Sequence, residues 1–202
     1  MSNAEFRERL VGYIHTQALP VDKYSHQPRL YALARSLAGN LVYDDDVLFA
    51  AAWIHDLGVF VGHRPTELAA LAAWDHIAYV DRHAPQILSE LGFPKDKISL
   101  VLAAVRTHLP LSEPETVEGV LLRDADLLEQ LGAVGILRIV SKVGRDTRFI
   151  RFSDAVATLR NNLNDLPGKL KLETAREAAV SRVEVLRCFL EGAVREAGSV
   201  PW

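Results

Sequence analysis

The chain of 202 residues has a single cysteine, Cys188. An internal disulfide is therefore excluded, and a reducing compartment is expected. No run of about 18 uninterrupted apolar residues occurs, so no transmembrane helix is expected. The stretch "MSNAEFRERL" carries charges early and lacks an apolar core, so it does not read as a signal peptide. Basic residues are not in excess: 23 Lys and Arg stand against 26 Asp and Glu, for a net charge of −3. That balance gives no electrostatic reason for nucleic acid or an anionic membrane to be an obligatory partner. Internal repeats and low-complexity segments are lacking, and strand signals are scarce. On these grounds a cytoplasmic globular protein is expected.

What is present is helical patterning. With 49% apolar and 24% charged residues, the composition is that of an ordinary globular domain. A chain of this length buries about 70% of its unfolded surface, enough for a core without metal or disulfide. Phe6, Leu10, Tyr13, Ile14 and Ala18 form one face of a helix over about residues 4–18, stopped by Leu19-Pro20. A second helix is expected from about His26 to Leu37, with Gly39-Asn40 at its C-cap. Asp44–Asp46 open a third, which buries Val47, Leu48, Ala51 and Ile54 and ends at "HDLG". Helices are expected near 66–91 and 95–108, and one or two more over 116–140. "NDLPGK" (164–169) is a strong breaker, and a long amphipathic helix closes the chain from about Glu173 to Ala197. The expected fold is all-α: one helical bundle over residues 1–202, with core motifs at about 24–138 and an extension at about 139–202 whose last helix packs back.

In the apolar run "AAAWIHDLG" (50–58), His55 and Asp56 stand side by side at a helix end. A His-Asp dipeptide alone is weak evidence of a site. Its weight comes from other residues of the same chemistry: His26 at a helix start, His108 in "VRTHLP", and Asp124 and Asp126 in "RDADLLEQLG". Imidazole and carboxylate suit a borderline or hard divalent metal, and no thiolate lies nearby. Two His and two Asp would leave coordination positions for water and substrate. Asp124 and Asp126 are two residues apart and point about 200° apart on a helix, so only one is expected to face a shared site.

The segments "YSHQPRLYALARSLAGN", "AAWIHDLG", "VRTHLP" and "LLRDADLLEQLGAVGILR" together resemble the HD superfamily of metal-dependent phosphohydrolases, from about Tyr24 to Arg138. The resemblance implies an all-α HD bundle and a divalent ion (Mn, Fe, Mg, Ni or Zn) held by His26, His55, Asp56 and Asp126. Asp56 would also orient the attacking water. Family members with a second metal use further histidines; here His76 and His108 take those places, with His83, two turns from His76, as a competitor. Val59 stands where a better-known signature has lysine, and no "GYP" triplet occurs, so the cyclic-dinucleotide phosphodiesterase branch is not indicated. The implied activity is hydrolysis of a phosphate ester or anhydride in a small nucleotide-like molecule, with Arg29, Arg138 and Lys142 as candidate phosphate partners. Each of these bases, taken singly, reads as a solvated surface charge. Two other classes share the pattern: a dinuclear-iron oxygenase of the same fold, and a non-catalytic metal-binding regulator. Metal stoichiometry and an oxygen requirement discriminate them.

Overall fold

A computed structural model describes residues 3–20 and 24–198. Among these residues there are ten α-helices, a few short 3₁₀ turns and no strand. The helices are α1 (Asn3–Gln17), α2 (His26–Leu37), α3 (Asp45–Ile54), α4 (Leu68–Ala72), α5 (His76–Glu90), α6 (Ile98–Arg106), α7 (Val117–Glu129), α8 (Gly132–Val140), α9 (Phe152–Asp165) and α10 (Glu173–Ala197). The all-α expectation is met. The chain divides into two compact units, Met1–Arg123 and Asp124–Trp202, with α7 spanning the division.

The first unit is built around α3. Every residue from Val47 to Ile54 is buried, as expected of a helix that is apolar on all sides and must be covered all round. α1, α2, α5 and α6 pack against it. Its start is fixed by Asp44, whose carboxylate accepts from the Asp46 and Val47 N–H groups at 3.0 and 3.2 Å. A cap of this type contributes about 1 kcal/mol. Arg7 of α1 then holds Asp45 and Asp46 at 2.8 and 2.6 Å. The N-terminal charge cluster thus locks the register of the helix that ends at His55.

The region 66–91 is two helices, not one. Glu67 caps α4 and Asp75 caps α5, the Asp75 carboxylate accepting from the Ala78 N–H at 2.9 Å. No residue of α4 is buried.

The second unit packs α8, α9 and α10 on one another. α7 and α8 are separate helices, divided where Gly132 takes a positive φ of 68°. A Cβ on Gly135 would stand 2.4 Å from the Gln130 backbone, so the turn closes only over a glycine. Arg182 of α10 donates to the Leu128 carbonyl at 2.8 Å, satisfying a C-terminal group of α7. The sequence reading names no helix over Phe152–Asp165, where α9 lies. Its start is capped by Asp154, which accepts from the Ile150 and Arg151 N–H groups at 2.8 Å each.

Candidate metal centre

His26 is the first residue of α2 and is buried. His55 follows the last turn of α3, its N–H bonded to the Ala51 carbonyl at 3.0 Å. Asp56 leads into the 3₁₀ turn Leu57–Val59. One helix start and one helix end therefore deliver three polar side chains to one place. The His55 ring nitrogen Nδ1 lies 3.0 Å from the Ala52 carbonyl. A carbonyl only accepts, so Nδ1 carries the proton and Nε2 presents its lone pair. That Nε2 is 3.3 Å from the Nε2 of His26. Asp56 stands 3.8 Å from His26 Nε2 and 3.6 Å from His55 Nε2, with its side chain 17% exposed. One ligand atom from each of the three lies within 4.8 Å of the others.

This donor set fits a divalent ion. Two nitrogens at about 2.0–2.1 Å from one ion are separated by roughly 2.8–3.4 Å for bond angles between square and tetrahedral. The 3.3 Å gap falls in that range. The carbonyl behind His55 is the outer partner that fixes a ligating imidazole.

A row of imidazoles continues from this trio. The His108 ring is 5.1 Å from His55, and His76 is 6.3 Å from His108, between ring centres. His108 is buried, and its Nδ1 is 2.6 Å from the Val105 carbonyl, the same tautomer device as at His55. His76 is half-buried at the start of α5. His83 is exposed and lies against the Tyr79 ring at 4.2 Å.

Three supporting residues have no motif in the sequence. Gly58 is one: a Cβ there would meet the His76 carbonyl oxygen at 2.7 Å and its Cα at 3.0 Å. Only glycine lets the start of α5 lie this close to the His-Asp turn. Trp74 is another, its indole N–H donating to the Gly58 carbonyl at 2.8 Å. Arg123, buried, donates to the Pro110 carbonyl at 2.9 Å and so anchors the loop after His108. The order of types in the sequence signals none of these, since each contact joins residues separated by a turn or a loop.

The remaining candidates are placed as follows. Arg29 is half-buried on α2, one turn after His26. In the second unit, Asp124 is fully buried and its carboxylate accepts from the Lys171 and Leu172 N–H groups at 2.8 and 2.7 Å. It thereby fixes the entry to α10. Asp126 carries an Arg138 guanidinium at 3.8 Å and a Gln130 amide at 3.2 Å. Arg138 also reaches Glu129 at 3.3 Å. The Lys142 ammonium lies 5.4 Å from the centre of the Phe149 ring.

Residues 24–131, more than half of the chain, match the model of the HD domain. Comparison with curated proteins finds no match. Among solved structures the chain is similar to YpgQ of Bacillus subtilis, with 20% identity over all of both chains and a TM-score of 0.78. It is also similar to an HD-superfamily hydrolase of Bacillus thuringiensis, with 20% identity, 98% of this chain and 100% of that one covered, and a TM-score of 0.69. A third is a predicted HD-superfamily hydrolase from an uncultured Thermotogales bacterium, 24% identical, covering 95% of this chain and 92% of that one, with a TM-score of 0.63. At these identities the likeness shows a common fold, and the matched segment holds the His-His-Asp trio that the geometry brings together. The chain belongs to the HD domain family.

Proposed function

We propose that the protein is a metal-dependent phosphohydrolase acting on a phosphate ester or anhydride of a small nucleotide-like molecule in the cytoplasm. The observation that carries this reading is the approach of His26 Nε2 to His55 Nε2 at 3.3 Å with Asp56 beside both. His55 Nε2 presents a lone pair at the point where the second imidazole and the carboxylate meet, a donor set that suits a divalent cation. His26, His55 and Asp56 would hold the divalent ion, and the resemblance to the HD superfamily assigns Asp126 as the fourth ligand. Asp124, committed to two backbone N–H groups, already has a structural duty. When bound, the ion supplies positive charge for a phosphoryl oxygen and acidifies water.

The chain's own groups do the rest. Asp56 remains partly open to solvent and accepts a hydrogen bond from the attacking water, which aims its lone pair at phosphorus. The new P–O bond forms to that water as the bond to the leaving oxygen breaks, and the water's proton ends on the departing group or in solvent. Arg29, Arg138 and Lys142 neutralise phosphate charge. His76 and His108 take a second ion. The nucleotide-like class is supported by a relative: a Bacillus subtilis YpgQ structure, 20% identical with a TM-score of 0.72, is a complex with ADP.

Elemental analysis of the purified protein, followed by a panel of nucleotides, phosphomonoesters and phosphodiesters with several divalent ions, tests the proposal. Metal-dependent release of phosphate or pyrophosphate that His55→Ala abolishes is the expected result. Metal-free protein with no turnover under any ion would end it, and turnover that consumes oxygen would move the assignment to the oxygenase class.

A further inference from the structure

In the second unit, α9 and α10 border an open groove with about 440 Å³ of space. Leu163, Leu190 and Val194 form its apolar part, and Arg160, Arg187, Arg195 and Glu191 supply its charge. Three guanidinium groups thus meet one carboxylate, in a chain whose overall charge is −3.

The pairing of these arginines is informative. Arg187 is held by Glu184 at 2.8 Å. Arg160 and Arg195 have no ion pair or hydrogen bond among the described residues. Glu191 and Arg195 are four residues apart on one helix, the favourable order for a bridge, yet they make none. Elsewhere Arg7, Arg106, Arg138, Arg148 and Arg176 each hold a carboxylate. Two uncommitted guanidiniums therefore flank the same groove.

We infer that this groove binds a phosphorylated small molecule with a non-aromatic body. Guanidinium forks match phosphate oxygens in pairs, and two or three of them balance a dianion or trianion. Among the described residues the lining holds no aromatic ring on which a nucleobase would stack. The leucines and Val194 cover the aliphatic face of the ligand, while Glu191 accepts from its hydroxyls. This site is independent of the metal centre and of the reaction proposed there.

The test uses inorganic pyrophosphate as the anion probe, titrated calorimetrically into the full chain without added divalent ion. Three variants are compared with the wild type: R160Q/R195Q, R160K/R195K and His55→Ala. Saturable binding that survives His55→Ala, weakens about tenfold or more in R160Q/R195Q and partly returns in R160K/R195K is expected. Both arginines are exposed, so thermal unfolding of the double variants should match the wild type. Binding lost in His55→Ala and unchanged in R160Q/R195Q would assign the anion to the metal centre alone. Equal binding in all four proteins, or none, would equally overturn the inference.

Discussion

His26 and His55 face one another Nε2 to Nε2 at 3.3 Å, and the Nδ1–H of His55 is tied to the Ala52 carbonyl. With Asp56 beside both rings, this pair forms a nitrogen and oxygen donor set that suits one shared divalent cation. Added Mn or Zn is therefore expected to raise the melting temperature, by linkage worth about 2.7 kcal/mol at a hundredfold excess over Kd. His26→Ala, His55→Ala and Asp56→Ala should each remove most of that increment while leaving the helical circular dichroism near the wild type. Asp56→Ala is the sharpest of the three. As a mere helix-end acid its loss would change stability by a few tenths of a kcal/mol and leave metal binding intact. Metal-dependent stabilisation that persists in Asp56→Ala would remove it from the ligand set.

Much of this centre is legible in the sequence, because its parts announce themselves locally. His55 and Asp56 interrupt an apolar run, Asp44–Asp46 mark the start of α3, and His26 opens a periodic segment. What was not legible depends on approach in space. The break at residues 73–75 follows from Asp75 capping a new helix, in a stretch whose apolar pattern runs on. The start of α9 is fixed by Asp154 in its first turn, whose role shows only once the preceding backbone N–H groups turn onto it. Gly58 reads as an ordinary helix terminator until His76 is seen against it.

Gly58→Ala provides a test of that close approach. The added methyl would meet backbone atoms of His76 at 2.7 and 3.0 Å, and backbone cannot rotate away as a side chain can. Overpacking of this type costs about 1–3 kcal/mol. The variant should unfold at lower denaturant with an unchanged slope, and any ion held by His76 should be lost before the one held by His55. Trp74→Phe, which removes only the indole donor to the Gly58 carbonyl, should cost about 1 kcal/mol. Wild-type stability in Gly58→Ala would show that α5 can shift freely.

Asp124 and Asp126 are separated by one residue and should fail in different ways. Asp124→Ala leaves the Lys171 and Leu172 N–H groups without their buried carboxylate, at a cost of about 2–4 kcal/mol. Its folded fraction should still bind metal. Asp126→Ala should retain most of the stability and lose metal affinity. Urea unfolding paired with metal content per folded molecule separates the two, and the opposite pattern would exchange their roles.

His63 gives the fold a pH dependence whose sign is fixed by its partners. Its Nε2 is 2.7 Å from the Gln17 amide oxygen and its Nδ1 is 2.9 Å from the Tyr79 hydroxyl. The amide oxygen only accepts, so Nε2 carries the proton and Nδ1 accepts from Tyr79; the ring is satisfied as a neutral group. Burial, reinforced by the nearby His83, pushes its pKa below the ordinary histidine value. Between that lowered pKa and the unfolded value of about 6.5, the unfolded chain binds more protons than the folded one. Stability therefore rises with pH across this window. The contribution is fully present above the unfolded value and is lost as pH falls through it toward the folded one. Urea unfolding of wild type and His63→Gln from pH 5 to 8 should show curves that diverge in slope below about pH 6.5. The His63 ring resonance should titrate below the ordinary histidine value of about 6.5. Parallel stability curves would show that Tyr79 reorients to accept from the charged ring at no cost, and that this histidine does not set the pH response.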